Sequence, residues 1–210
     1  MVGLTTPTDV RSTMGWSLEE RRGRVVDAAV QLAADRGLEH VTLRAAADVA
    51  GMSWDTARES FYDHADLLRA ISVEVTARNV PVETVRLDAP GTFAEGALEV
   101  TLRFWELLTA HRDLQLVSYE IVVTALRRTA LRPLVVGQLA DQRALAEHVL
   151  TEFAEQNGVT WDRPVADVAR FVATFLDGLT TAWLVDADEQ AAAEQLTLLV
   201  QVLSTFVAER

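Results

Sequence analysis

The chain has 210 residues, half of them apolar and 24% charged, enough apolar material for a sizeable core in one compact domain or two closely packed ones. Thirty-one acidic residues against 19 basic ones leave a formal net charge of −12, which weighs against indiscriminate binding to nucleic acid or anionic membrane. Every basic residue is an arginine, and cysteine is absent, which excludes disulfide frameworks, thiolate catalysis and cysteine-ligated metal.

Residues 1–15 mix Thr, Pro, Gly, Ser and Asp without apolar periodicity and read as a poorly ordered tail with no secretory signal. Ser17-Leu18-Glu19-Glu20 then forms a capping box, the pattern in which side chains satisfy the orphan donors of a helix start. Val25, Ala28, Ala29, Leu32 and Ala33 follow at helical spacing until Gly37, predicting a helix with one buried face. Thr42 caps a second helix over 43–50, ended by Gly51, and Ser53 caps a third over 54–60. A fourth opens at Asp63, where Asp63 and Asp66 favour the positive end of the dipole, and runs to Asn79 and Pro81.

Residues 81–91 read as a connector. Five more helices are predicted near 92–110, 113–130, 132–156, 164–185 and 189–208. No segment alternates with a two-residue period between turn signals. The fold class is therefore all-α with about nine helices, divided into a tail (1–15), a small bundle (16–70) and a larger domain (71–210). The apolar stretch Phe171–Val185 is broken by Asp177 and Gly178, short of the roughly 18 uncharged residues of a membrane span. A soluble cytoplasmic protein without a membrane partner is the expectation.

Within the small bundle, Ala47, Gly51 and Phe61 fall where a helix-turn-helix needs a small contact, a tight turn and an apolar anchor. The second helix of such a pair enters the DNA major groove. Arg24-Val25-Val26-Asp27-Ala28-Ala29, Gly37, Val41-Thr42-Leu43-Arg44, Ala47-Asp48-Val49-Ala50-Gly51-Met52-Ser53, Thr56, Phe61 and Leu67-Leu68 resemble the N-terminal domain of the tetracycline-repressor (TetR) family over about residues 20–72. The resemblance implies a homodimeric, ligand-responsive repressor that binds a palindromic operator and is released by a small apolar or aromatic effector.

Carried over to this chain, the resemblance sets Trp54, Asp55, Thr56 and Arg58 against base edges, with Ser53 at the head of the same helix. It sets Thr42, Arg44, Ser60, Tyr62 and His64 against phosphates. Arg58 can pair bidentately with guanine, and Thr56 can touch a thymine methyl. There are departures. Arg58 and Ala57 stand where the family usually has an aromatic and a bulky apolar residue, and His64 stands where it has a phosphate-holding lysine. Seven arginines against ten acids over 17–70 leave this region at −3, against the usual basic footprint. The alternative is a helix-turn-helix-derived dimer that binds small molecules or a protein and has weakened or lost DNA binding.

In the larger domain an aromatic stripe is more often core than pocket, but the resemblance places a ligand among the helices of 92–185. The candidates are Phe104, Trp105, Leu108, Tyr119, Glu120, Val123, Gln142 and Thr174, with Glu120 able to attract a cationic group. The last two helices are apolar on more than one face, so they need a partner beyond their own domain. Val168, Phe175, Gly178, Leu179, Trp183, Leu196, Val200 and Leu203 are the dimer candidates. The four histidines lie far apart, and no P-loop, dinucleotide fingerprint or Gly-x-Ser-x-Gly is present. Neither enzymatic activity nor a cofactor or metal is expected.

Overall fold

A computed structural model describes residues 16–79 and 91–208. The segment read as a tail and the connector residues 81–90 lie outside them. The described residues are all-α, with nine α-helices, and the chain divides into two compact units between Glu74 and Val75.

The first unit holds α1 (Leu18–Arg36), α2 (Leu43–Val49), α3 (Trp54–Arg58) and most of α4 (His64–Asn79). The capping box forms: the Ser17 amide donates to Glu20 Oε2 at 2.7 Å, and Ser17 Oγ accepts from the Glu20 amide at 3.2 Å. Gly37 ends α1 at φ +92°, a conformation that L side chains rarely adopt. Thr42 Oγ1 accepts from the Ala45 amide and Ser53 Oγ from the Thr56 amide, so both hydroxyls start their helices as read. α3 is two residues shorter than expected. Its carbonyls close early, with Glu59 N donating to Asp55 O and Ser60 N to Ala57 O in a tightened final turn. α4 starts one residue late because the Asp63 carboxylate caps it, accepting from the Asp66 amide at 2.7 Å. Val25, Ala29, Ala46, Ala57, Leu67 and Ile71 form the fully buried centre.

The second unit holds α5 (Phe93–Thr109), α6 (Arg112–Arg127), α7 (Arg132–Asn157), α8 (Val165–Asp186) and α9 (Glu189–Ser204). A capping box of Thr92 and Glu95 opens α5, and Gly158 closes α7 in the left-handed region. Trp105 and Trp183 pack edge to face at 5.9 Å beside Leu196, and Leu150, Val168, Leu199 and Leu203 fill the other end of the core. Phe93 at the start of α5 meets both Phe153 near the end of α7 and Trp161 beyond it. By length and composition α8 could cross a membrane, but here it packs on α7 and α9.

Two expected helix ends are corrected. The sixth helix stops at Arg127, and Thr129–Leu131 form a 3₁₀ turn before Pro133 opens α7. The last helix stops at Ser204 instead of reaching 208. Residues 206–208 run antiparallel to 160–162: Asp162 N donates to Phe206 O and Ala208 N to Thr160 O, each at 2.8 Å. That pairing takes the backbone out of helical register.

Candidate functional site

The helix-turn-helix of the first unit presents Thr42, Arg44, Ser53, Trp54, Asp55, Arg58, Tyr62 and His64 to solvent, with Thr56 half-buried. Tyr62 is 93% exposed. The Arg44 guanidinium lies over the Trp54 ring, 4.8 Å from its centroid, joining the start of α2 to the start of α3. Arg58 makes no ion pair among the described residues.

Ser60 is a correction. It is 6% exposed, its hydroxyl donates to Thr56 O, and its carbonyl accepts from Arg22 Nη1 at 2.8 Å. With its side chain turned inward it cannot reach a phosphate. The local net charge of −3 is unevenly distributed. Arg21 pairs with Glu59 at 3.5 Å, and Arg22 pairs with Asp66. Two of the region's acids thereby pair with arginines of α1, and the exposed face carries Arg44 and Arg58 beside Asp48, Asp55 and Asp63.

The second unit contains a partly open cavity of about 220 Å³ lined by α5, α6, α7, α8 and α9, with Thr76 of α4. Phe104, Leu108, Tyr119 and Gln142 line it. Trp105, Glu120, Val123 and Thr174 do not. The Trp105 ring is buried against Trp183, Val123 is half-exposed, and the exposed Thr174 hydroxyl donates to Arg170 O one turn back. Glu120 is likewise outside the lining, so it is not the counter-charge for a ligand there; the lining carboxylate is Asp177.

Sequence reasoning missed Gln115, Ser118, Gln138, Asp177 and Thr180, all in the wall. A signal existed: amides and hydroxyls interrupting otherwise apolar helical faces. Their bonds are largely internal. Gln115 Nε2 donates to Leu108 O at 3.0 Å, Gln138 Nε2 to Ser118 Oγ at 2.9 Å, and the Tyr119 hydroxyl to Asp177 at 2.9 Å. Burial, foremost, raises the Tyr119 phenol well above its ordinary pKa, so it stays a neutral donor. Gln138 Oε1 and Trp161 Nε1 are buried without a hydrogen-bond partner. No group of three or more acids or histidines among the described residues could hold a metal ion.

The dimer candidates separate into two sets. Val168, Trp183, Leu196, Val200 and Leu203 are each at most 5% exposed within the chain's own core, so they are corrected as contacts for a second copy. The reason is rotational: they lie on the side of α8 and α9 that faces the unit's interior. Gly178 is exposed, and Phe175 and Leu179 are half-buried. The outward side of the same helices carries Phe171, Thr174, Ala182 and Val185 on α8, and Leu198 and Val202 on α9.

A family model described as "Tetracyclin repressor-like, C-terminal domain" matches residues 88–205. Among solved structures, the multidrug binding protein EbrR complexed with ethidium is 26% identical, covers 86% of this chain and 98% of its own, and superposes with a TM-score of 0.64. A transcriptional regulator from Rhodococcus sp. Rha1 is 18% identical over 90% of this chain and 98% of its own, with a TM-score of 0.68. The fatty acid degradation regulator FadR from Bacillus halodurans is 20% identical over 87% and 94%, with a TM-score of 0.62. The last two speak for the fold alone. No curated protein matches the sequence.

Proposed function

Because the chain belongs to the tetracycline-repressor-like family of transcriptional regulators, we propose that it is a ligand-responsive repressor that binds a palindromic operator as a homodimer. The single observation that supports this reading most is the pairing, in one chain, of an exposed helix-turn-helix carrying Arg44 and Arg58 with a separate helical unit that contains an apolar cavity. In this reading residues 16–70 read DNA, and residues 71–210 bind the effector and the second copy. Trp54, Asp55, Thr56 and Arg58 contact bases, while Thr42, Arg44, Ser53, Tyr62 and His64 contact the backbone. Effector occupancy shifts the population between operator-binding and released states by as much as its affinity differs between them. The protein acts in the cytoplasm and catalyses nothing.

The outward face of α8 and α9 supports a two-fold dimer. Such a dimer presents its recognition helices to half-sites about 34–36 Å apart. The expected result is a gel shift with DNA from the gene's own upstream region, reversed by a cavity ligand. Ethidium, present in the EbrR structure, is a first probe of the cavity when read by its fluorescence on the protein without DNA, because it also intercalates the operator. The net −3 of residues 17–70 favours a second reading, a dimer that has lost DNA binding. A folded dimer that shifts no genomic fragment at low salt would establish that reading and discard the first.

A further inference from the structure

Arg44 sits in the first turn of α2 and Trp54 opens α3, and the Arg44 Cζ lies 4.8 Å from the centroid of the Trp54 ring. Both side chains are exposed, with 36% of Trp54 open to solvent. Two carboxylates compete for the same cation. Asp48 lies one turn further along α2, Asp55 follows Trp54, and both are exposed. Neither takes it, for Arg44 makes no ion pair among the described residues. The energies favour that outcome. A helical pair with the base four residues ahead of the acid is the poorer of the two orders, and an exposed pair of that kind contributes less than a guanidinium on the face of an indole.

Stacking leaves the cation usable. The ring covers one face of the guanidinium, while the N–H donors lie in its plane and point outward from the edge. A free arginine gives up rotamer freedom when it takes a phosphate, and one already laid on a ring has given it up beforehand. The indole keeps a second face and an edge, so a base contact by Trp54 is compatible with the stack. Residues 17–70 carry a net −3, and there a cation held clear of neighbouring carboxylates serves a polyanion better than one paired with them.

We propose that Trp54 is a positioning residue for the DNA backbone: its indole holds the Arg44 guanidinium off Asp48 and Asp55 and presents the N–H edge to a phosphate. This rests on the first unit binding DNA.

The stack is read first without DNA, by NMR on the full-length chain. The ring current of Trp54 moves the Arg44 side-chain protons upfield, and the shift disappears in Trp54→Ala and persists in Trp54→Tyr. Circular dichroism checks that each variant folds. Binding is then titrated at low salt on the upstream fragment and on a scrambled duplex, where base reading drops out. On the scrambled duplex Arg44→Ala and Trp54→Ala each weaken binding roughly three- to tenfold, and Trp54→Tyr less than about twofold. Trp54→Ala added to Arg44→Ala changes it by less than about twofold, because the indole acts through the arginine. Arg44→Ala also lowers the salt slope by about one per chain bound. Additive losses, no loss in Arg44→Ala, or an Arg44 without the upfield shift overturn the proposal. A chain that shows the shift and binds neither duplex defeats the DNA-binding reading and the proposal with it. Binding with additive losses defeats the proposal alone.

Discussion

Arg22 and Asp66 form a two-pronged ion pair across the first unit, Nη2 to Oδ1 at 2.7 Å and Nη1 to Oδ2 at 3.0 Å. Arg22 also caps Ser60 O and lies over the Phe61 ring, while Asp66 accepts from the Tyr62 amide at 3.1 Å. One guanidinium therefore ties α1 to the turn after the recognition helix and to the start of α4. The Arg22 hydrogen bond, aided by the Tyr62 amide, holds the Asp66 carboxyl at about 2, below its ordinary 3.8. A folded value below the unfolded one means the contribution is complete above pH 3.8 and is lost as the pH falls through about 2. With Arg22 a third exposed, we expect Asp66→Asn to cost about 1–2 kcal/mol at neutral pH. Urea melts of both proteins check it: the difference between them should shrink steadily between pH 4 and pH 2.

Arg58 stands exposed on the recognition helix with no ion pair among the described residues, next to Glu59, which pairs with Arg21 at 3.5 Å. Arg58→Ala should weaken operator binding by about 1–3 kcal/mol and relax preference at one base position. Competition titrations with single-base operator variants measure it. An equal loss on every sequence would make Arg58 a phosphate contact instead. Glu59→Gln removes an exposed negative charge beside Arg58 and should strengthen binding slightly, with a smaller change than Arg58→Ala.

Gly178 sits on the outward face of α8, and among the described residues nothing beyond its chain neighbours and its own helix backbone lies within 4 Å of a Cβ added there. A larger side chain is harmless to the isolated chain and obstructive to a partner helix in close approach. Gly178→Leu should leave the separated chain at least as stable, since a mid-helix glycine gives way to a better helix former, and weaken dimerisation at least roughly tenfold. Sedimentation velocity over a concentration series decides it. An unaltered dimer would move the interface away from this face.

Ala187 closes α8 at φ +54°, the one non-glycine residue with positive φ among the described residues. Left-handed backbone strains an L side chain, and glycine there removes the strain at some expense in unfolded-chain entropy. Ala187→Gly should raise stability by about 0.5–1 kcal/mol without altering ligand or DNA binding. A lower melting temperature would contradict it.

Helix starts were legible wherever a side chain does the capping, as at Ser17, Thr42, Ser53 and Asp63, because the partners lie within three residues. Helix ends were less so. The end of α9 depends on hydrogen bonds to residues 160–162, some 45 positions away, which no local pattern encodes. The same limit governed the cavity. Tyr119 and Gln142 were readable as polar groups on apolar helices. Whether Trp105 faces the cavity or Trp183 depends on the rotation of α5 against α8 and α9, a tertiary quantity. Apolar residues on both sides of α8 and α9 signal two partners without saying which side meets which, and Val168, Trp183, Leu196, Val200 and Leu203 turn to the chain's own core. Ser60 was assigned by register alone, and its inward turn is set by Arg22, 38 residues earlier.

The short antiparallel pairing of 160–162 with 206–208 holds the end of the last helix in place. Asp188 caps α9 at its start, and Asp162 N and Ala208 N donate across the pairing beyond its end. Side chains yield by changing rotamer, whereas a pairing of backbone hydrogen bonds does not. The last helix is thus secured at both ends, like a strap passed through a buckle.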